Sequence, residues 1–407
     1  MTAELELARI DALLAPDGQA LLERVAEADP GPEDELRVGA ELRGRWPAEL
    51  VATALTQHEL RRAAAAKFTL AGRMLFTRSG LEQSSSEAMA RHRAARLAST
   101  PGRVADLCCG IGGDLLALAD GRRALAVDLD PVHLRLAAHN AAVNGAGPVE
   151  TLRADVREAG LDGVGAVFVD PARRVGERRL PAGRSHPPLD WCFGLAGRVP
   201  AVAVKAAPGL PREAAPPGWE LELVAAGREL KEAVLFSPAL AMTPRRATIL
   251  PAGDTLVHAP GPEVALGEPG GFLLDPNPAV TRAGLVQELA RLVGAWKLDE
   301  RIAFLSLDHD VRTPFARTLR VLDSAPWDER RLAQRLRAHG VGAVDVRRRG
   351  LAGDVDRLQR RLRLEGELRA TLVMTRLRGR AWMLLCSDLG SGPGSGPGSD
   401  PGSDPGT

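Results

Sequence analysis

The sequence predicts an α/β fold, a doubly wound parallel sheet carried between an N-terminal helical region and a small C-terminal α+β domain. Three observations predict it. The apolar run Val104–Leu107 enters a glycine turn, Cys108-Cys109-Gly110-Ile111-Gly112-Gly113, and then a helical pattern. Apolar strands and helices continue to alternate through residues 101–250, as in a parallel sheet covered on both faces. Charge is also divided along the chain. Residues 1–60 hold 5 Arg against 13 Asp and Glu, a net of −8, whereas residues 328–380 hold 15 Arg against 7 acids, a net of +8.

The elements follow in order. In residues 1–100, Leu13, Leu14, Leu21, Leu22 and Val25 keep helical spacing, as do Leu50, Val51, Ala54 and Leu55. Pro30-Gly31-Pro32 breaks the first helices apart. The region reads as a helical cap beside the sheet. Its last part, Leu81 to Ala90, reads as a helix start with a serine cap and acids in the first turn. Strands are expected at 103–108, 124–128, 149–152, 166–170 and 200–205, and helices at 113–120 and 131–143. Apolar stretches at 221–226, 233–236 and 246–250 are expected to form an antiparallel edge.

Residues 251–317 read as a connecting subdomain, in which Asp275-Pro276-Asn277-Pro278 opens a helix with proline early in it. Residues 318–388 read as a basic α+β unit. It has a strand at 341–346, then Arg347-Arg348-Arg349, a helix from Asp354 to Leu364 bearing Arg357, Arg360, Arg361 and Arg363, and a hairpin of 370–375 with 381–385. The Gly/Ser/Pro tail, 389–407, cannot bury a core and is expected to be disordered.

Composition narrows the class further. The four cysteines, Cys108, Cys109, Cys192 and Cys386, form no C-x-x-C, and the adjacent pair suits no disulfide. This is the pattern of a reduced, cytoplasmic protein. The acidic start carries no signal core, and no 18-residue apolar run is present. Net charge is only +1, and nearly every basic residue is Arg in an Ala-, Gly- and Pro-rich chain. That bias points to a GC-rich genome, so Arg content alone is weak evidence for nucleic acid.

The glycine turn and the acid ending the next strand, Asp128, suit a nucleotide-like ligand. Glycine lets the backbone approach, and a carboxylate accepts both hydrogens of a ribose diol. A dinucleotide site wants G-x-G-x-x-G, but Leu115 occupies the third position. Asp106 and Asp114 also carry the wrong sign for a pyrophosphate. S-adenosylmethionine has no phosphate and bears a cationic amino group and a sulfonium, which carboxylates attract.

Asp106-x-x-x-Gly110-x-Gly112 resembles motif I of class I S-adenosylmethionine-dependent methyltransferases, and Val127-Asp128 resembles their motif II acid. Asp155, in Arg153-Ala154-Asp155-Val156, resembles the acid that meets the adenine amino group. Asp170-Pro171-Ala172-Arg173, after Ala166–Val169, stands where the family carries motif IV. Four motifs in order, over about 65 residues, make the likeness specific. The resemblance implies a Rossmann-like seven-stranded methyltransferase sheet, S-adenosylmethionine as cofactor, and cofactor contacts at Asp106, Cys108, Gly110, Gly112, Asp128, Leu129, Asp155, Val156 and Asp170. Leu81–Ala90 and Asp106-x-x-Cys109-Gly110-Ile111-Gly112-Gly113 are similar to trimethylguanosine-synthase-like enzymes. On that likeness the serine segment closes over the methionine end of the cofactor; otherwise it is a plain capping box. Residues 318–388 resemble the THUMP-like domain of some bacterial methyltransferases, which implies RNA binding, usually tRNA.

Methyl transfer is an in-line displacement that gains most from positioning. It needs no metal, and His133, His139, His186 and His309 show no ligand spacing. Amino-methylating relatives carry Asn/Asp-Pro-Pro and an aromatic, where this chain has Ala172 and Arg173. An Arg plane stacks on a base or binds phosphate. Asp170 is therefore expected to orient or deprotonate the acceptor, with Arg173 and Arg174 gripping an anionic substrate. Lys205 reads as a further substrate contact or as a solvent-facing strand end. Arg178, Arg179 and Arg184 read as a phosphate-binding rim, and Trp191 and Phe193 as core residues or, alternatively, as rings that stack a base. The expected function is methylation of RNA, a tRNA or rRNA. Two alternatives stay open: a small-molecule or protein acceptor with the basic unit purely structural, and an inactive RNA-binding protein on the same fold.

Overall fold

The computed structural model describes residues 3–172, 174–175, 178–179, 185–351, 354–362 and 364–388. Arg173, Arg184, Arg363 and the tail 389–407 lie outside the described residues. The chain divides into two compact units, residues 1–255 and residues 256 onward.

The first unit opens with six helices: α1 (Ala3–Leu14), α2 (Pro16–Ala28), α3 (Glu35–Leu42), α4 (Ala48–Ala64), α5 (Arg78–Gln83) and α6 (Glu87–Leu97). The sheet part follows as β1 (Arg103–Leu107), α7 (Leu115–Leu118), β2 (Ala124–Asp128), α8 (Pro131–Val143), β3 (Val149–Arg153), β4 (Val164–Val169), β5 (Arg174–Val175), β6 (Arg178–Arg179), α9 (Leu189–Gly194), β7 (Ala201–Ala206), β8 (Glu220–Ala226), β9 (Glu229–Phe236), β10 (Arg245–Leu250) and β11 (Asp254–Val257). The helices do not form a separate body. Leu13, Leu21, Val51 and Phe76 share one core with Ile111 of the glycine turn and with Val132 and Leu136 of α8.

Two buried amides stitch the extended segment between α4 and α5 into place. Gln57 donates to the Phe76 carbonyl at 2.7 Å and accepts the Phe76 N–H at 2.9 Å. Asn140 of α8 accepts the Leu75 N–H at 2.9 Å and donates to the carbonyls of Leu75 and Ile111, each at 3.0 Å. Asn140→Leu strands one buried N–H and two carbonyls. It is expected to cost about 3 kcal/mol of unfolding free energy. A urea titration showing a loss below about 1 kcal/mol would contradict this role.

The sheet holds nine strands in the order β11-β10-β8-β9-β7-β4-β1-β2-β3, two more than expected. β3, β2, β1, β4 and β7 run parallel. The late strands differ from expectation: β9 lies antiparallel to both β7 and β8, whereas β8 and β10 pair in parallel. A tight turn at Gly227, with φ +57°, joins β8 to β9 and sets that pair antiparallel. The chain passes beyond β9's place to make β8 and then folds back between β8 and β7.

The second unit comprises β12 (Phe272–Pro276), α10 (Pro278–Ala283), α11 (Val286–Val293), β13 (Trp296–Lys297), β14 (Leu305–Leu307), β15 (Ala316–Pro326), α12 (Glu329–Ala338), β16 (Val341–Arg348), α13 (Val355–Leu362), β17 (Leu368–Leu377) and β18 (Arg380–Asp388). Its sheet order is β13-β14-β12-β15-β18-β17-β16. The expected division at 317/318 does not coincide with a structural break, because β12 and β14 join the sheet of β15–β18. Asp275 also pairs with Arg349 at 2.9 Å, tying the end of β12 to the arginine run after β16. Asn277 caps α10 by accepting the Ala279 N–H at 3.0 Å. Leu332 and Leu336 of α12 and Leu358 and Leu362 of α13 pack on Leu372, Met374, Met383 and Leu385. With those leucines turned inward, Arg330, Arg331, Arg337, Arg357, Arg360 and Arg361 are left exposed.

Candidate active site

A cavity of about 770 Å³ opens in the first unit where β1, β2, β3, β4 and β7 end. Ligands of open parallel sheets bind at this edge. After β1 the backbone adopts left-handed conformations at Cys108 (φ +63°), Gly110 (φ +52°) and Gly112 (φ +85°), which coils it into a tight turn. A Cβ on Gly110 would meet nothing within 4 Å, so this residue leaves backbone facing open space. Gly112 serves otherwise. It is absent from the cavity lining, and a Cβ there would stand 3.0 Å from the Cα of Ala137. Gly112 thus packs the turn closely against α8.

Asp128 holds the turn. Its Oδ2 accepts the Gly110 N–H and its Oδ1 the Asp130 N–H, each at 2.9 Å. His133 Nδ1 stands 3.8 Å from the same carboxylate. Burial would raise the Asp128 pKa, but His133 and the two N–H donors outweigh it and hold the carboxyl below its usual range. Asp155 sits at the rim and is paired with Arg157, with Nε to Oδ1 at 3.0 Å, which pulls it down to about 2. Leu129 lines the cavity yet is 58% exposed, while Val156 beside it is buried.

Asp106 behaves in the opposite way. It is 1% exposed, and its Oδ2 has no hydrogen-bond partner among the described residues. Burial, then Asp114 and Asp170, push its carboxyl well above the usual range. A buried carboxylate edge without a donor is costly, and a cation reaching it from the cavity removes the cost.

The serine segment forms a wall over the turn. A Cβ on Gly113 would approach Ser84 Cβ to 3.2 Å and the Ser85 carbonyl to 3.4 Å. Ser86 is the N-cap of α6 but makes no side-chain capping bond, so the expected capping box does not form. Lys67 secures the wall instead, donating to the carbonyls of Leu81 at 2.6 Å, Ser84 at 3.0 Å and Glu82 at 3.2 Å.

Lys205, at the end of β7, is not solvent-facing. Its side chain is 11% exposed, and Nζ donates to Asp170 Oδ2 at 2.6 Å and Ser85 Oγ at 3.1 Å. Below it lies Arg93 of α6, fully buried, donating through Nε to Asp114 Oδ1 at 2.9 Å and through Nη1 to Glu232 of β9. Arg93 escaped the sequence reading, although a signal existed: it falls on the buried stripe of Met89, Ala90 and Leu97. Lys67 left no such signal, because its acceptors are backbone carbonyls.

The structure thus gathers Asp106, Cys108, Gly110, Asp128, Leu129, Asp155, Val156, Asp170 and Lys205 around one cavity. Arg174 lies in the short β5–β6 hairpin, which leaves the cavity mouth where Ala172 and His186 exchange backbone bonds of 2.9 and 2.8 Å. Phe193 packs edge-on against Trp219, with ring centroids 5.1 Å apart.

The THUMP domain-like family matches residues 316–388, and a domain of unknown function, DUF8688, matches residues 6–64. Over 313 residues the chain is 40% identical to an uncharacterized S-adenosylmethionine-dependent methyltransferase of Mycobacterium tuberculosis, found in strains CDC 1551 and H37Rv. That alignment covers 74% of this chain and 85% of the relative. The chain belongs to the S-adenosylmethionine-dependent methyltransferases. The methyltransferase also shares its fold with a crystal structure from Porphyromonas gingivalis W83, provisionally assigned as a methyltransferase. The TM-score is 0.70 at 20% identity, covering 91% of this chain and 97% of that one. The cavity of this methyltransferase suits its cofactor: the orphaned Asp106 oxygen answers a cationic amino group, and Gly110 and Gly113 leave room that a Cβ would narrow.

Proposed function

We propose that this methyltransferase modifies RNA, a tRNA or an rRNA, in the cytoplasm. The observation that carries the reading is the THUMP domain-like match over residues 316–388, in a segment whose helices expose six arginines. An arginine-studded surface neutralises backbone phosphates without reading bases.

Within the cavity, Asp106 takes the amino group of the cofactor and Asp128 the ribose diol. Leu129 and Val156 would hold the adenine, and Asp155 would meet its amino group. Cys108 and Gly110 present backbone to it. The bound cofactor supplies a methyl group on a sulfonium. Asp170 orients the acceptor and accepts its proton, and Arg173, Arg174 and Lys205 receive the anionic side of the substrate. The rate gain comes from alignment of acceptor, methyl and sulfur.

Label transfer from radioactive S-adenosylmethionine into RNA from a strain lacking the gene tests the reading. Label in a defined RNA is the expected result; none, with cofactor binding intact, moves the acceptor to a protein or small molecule. The tRNA affinity of the full chain is expected to fall linearly in log–log plots against salt. Arg357→Ala and Arg360→Ala should each reduce that slope by about one. An affinity indifferent to salt would remove the RNA surface from α12 and α13.

A further inference from the structure

Three observations meet at the end of β7. The Lys205 ammonium lies in the cavity wall, 2.6 Å from Asp170 Oδ2. Burial works against its charge, but Asp170, Glu232 and Asp114 outweigh burial and hold it above the ordinary lysine range. Lys205 is therefore a fixed cation and not a base. Finally, the described residues lining the cavity include no Phe or Trp, and the chain has no Tyr. Where amino-methylating enzymes carry a second proline and then a stacking ring, this chain has Ala172 and then Arg173.

An ammonium beside the acceptor separates two kinds of chemistry. An exocyclic amine gains positive charge as it takes the methyl group, and a neighbouring cation raises that barrier. A hydroxyl or a lactam N–H gains negative charge as its proton leaves, and the same cation lowers the barrier. We propose that Lys205 stabilises negative charge developing on the acceptor atom, and that the enzyme methylates a ribose hydroxyl or a lactam edge of RNA, not an exocyclic amine. This rests on the RNA reading above.

The O–H or N–H bond of the acceptor breaks, and its proton passes to the Asp170 carboxylate and on to water. The pair left on the acceptor forms the bond to the methyl carbon. The pair of the methyl–sulfur bond stays on sulfur and cancels the sulfonium charge. One proton is released per methyl group transferred.

Full-length enzyme, radioactive S-adenosylmethionine and RNA from the deletion strain supply the test, with the labelled RNA digested to nucleosides. Label is expected on a ribose oxygen or on a lactam atom of guanine or uracil. Lys205→Met is expected to lower kcat about 100-fold, a loss typical of removing one charge-stabilising donor. Its cofactor Kd should stay within about threefold of wild type, below the loss of even a weak charge-assisted bond. Lys205→Arg should recover part of the rate, which a merely structural role would not produce. Label on an exocyclic amine of adenine, cytosine or guanine overturns the assignment and leaves the RNA reading standing. So does an unchanged kcat in Lys205→Met. No label in any RNA, with cofactor bound, overturns both.

Discussion

Replacing Arg93 with Met is expected to cost about 3–5 kcal/mol, because it leaves buried carboxylates without their cation. For a unit of this size that lowers Tm by roughly 10 °C. The two acids come from distant parts of the chain, Asp114 after the glycine turn and Glu232 on β9, and both are buried. The guanidinium also lies 5.1 Å over the Phe168 ring, so Lys at this position loses the fork and the stacking together. Calorimetry of the full chain measures the effect. A companion variant that also carries Glu232→Leu should regain part of the loss, since an apolar replacement of both partners costs less than an unpaired ion. A Tm within about 2 °C of wild type for Arg93→Met would mean that water or another side chain already balances these acids.

Asp106→Asn is expected to weaken S-adenosylmethionine binding by about 100-fold, at the upper part of what a charge-assisted hydrogen bond contributes. The same change should stabilise the ligand-free fold. Asp106 titrates above its unfolded value. Its contribution to stability is therefore fully present below the unfolded carboxyl pKa and is lost as pH rises through the elevated folded value. Cofactor binding runs the other way, because the cationic amino group favours the ionised form. Binding should release protons, and affinity should rise with pH until Asp106 is ionised in the free protein. Titration calorimetry in buffers of different ionisation enthalpy reads the released protons directly. Asp106→Asn must abolish the Asp106 part of that release; if it persists undiminished, the amino group is held elsewhere.

The strand ends that line the cavity were legible because their signals are local. β1, β2 and β4 are buried and read as short apolar runs, whereas β3 is a more exposed edge strand; the limits of all four lie within about two residues of expectation. Asp106, Asp128 and Asp155 sit at strand ends, where acids following apolar runs stand out. What the sequence withheld is non-local. Nothing near residue 230 announces that β9 will insert between β7 and β8. The Lys205–Asp170 and Arg93–Glu232 pairs join residues 35 and 139 positions apart. The packing of Gly112 against Ala137 was also hidden, because a glycine beside a ligand and a glycine beside a helix leave the same letter. The expected start of the last domain, residue 318, lies within two residues of the THUMP domain-like match, but the pairing of β12 with β15 across it joins two distant segments and left no local signal.

The shared core of the helical region has a consequence for synthesis on the ribosome. Leu13, Leu21, Val51 and Phe76 leave the exit tunnel well before their partners Ile111, Val132 and Leu136. At about 5–20 residues per second, the leading helices wait several seconds with that apolar surface uncovered. A nascent chain arrested near residue 100 should expose it to chaperones and proteases, and one arrested beyond α8 and clear of the tunnel should hide it. Folding of the front of this enzyme is thereby timed by the arrival of its glycine turn and α8.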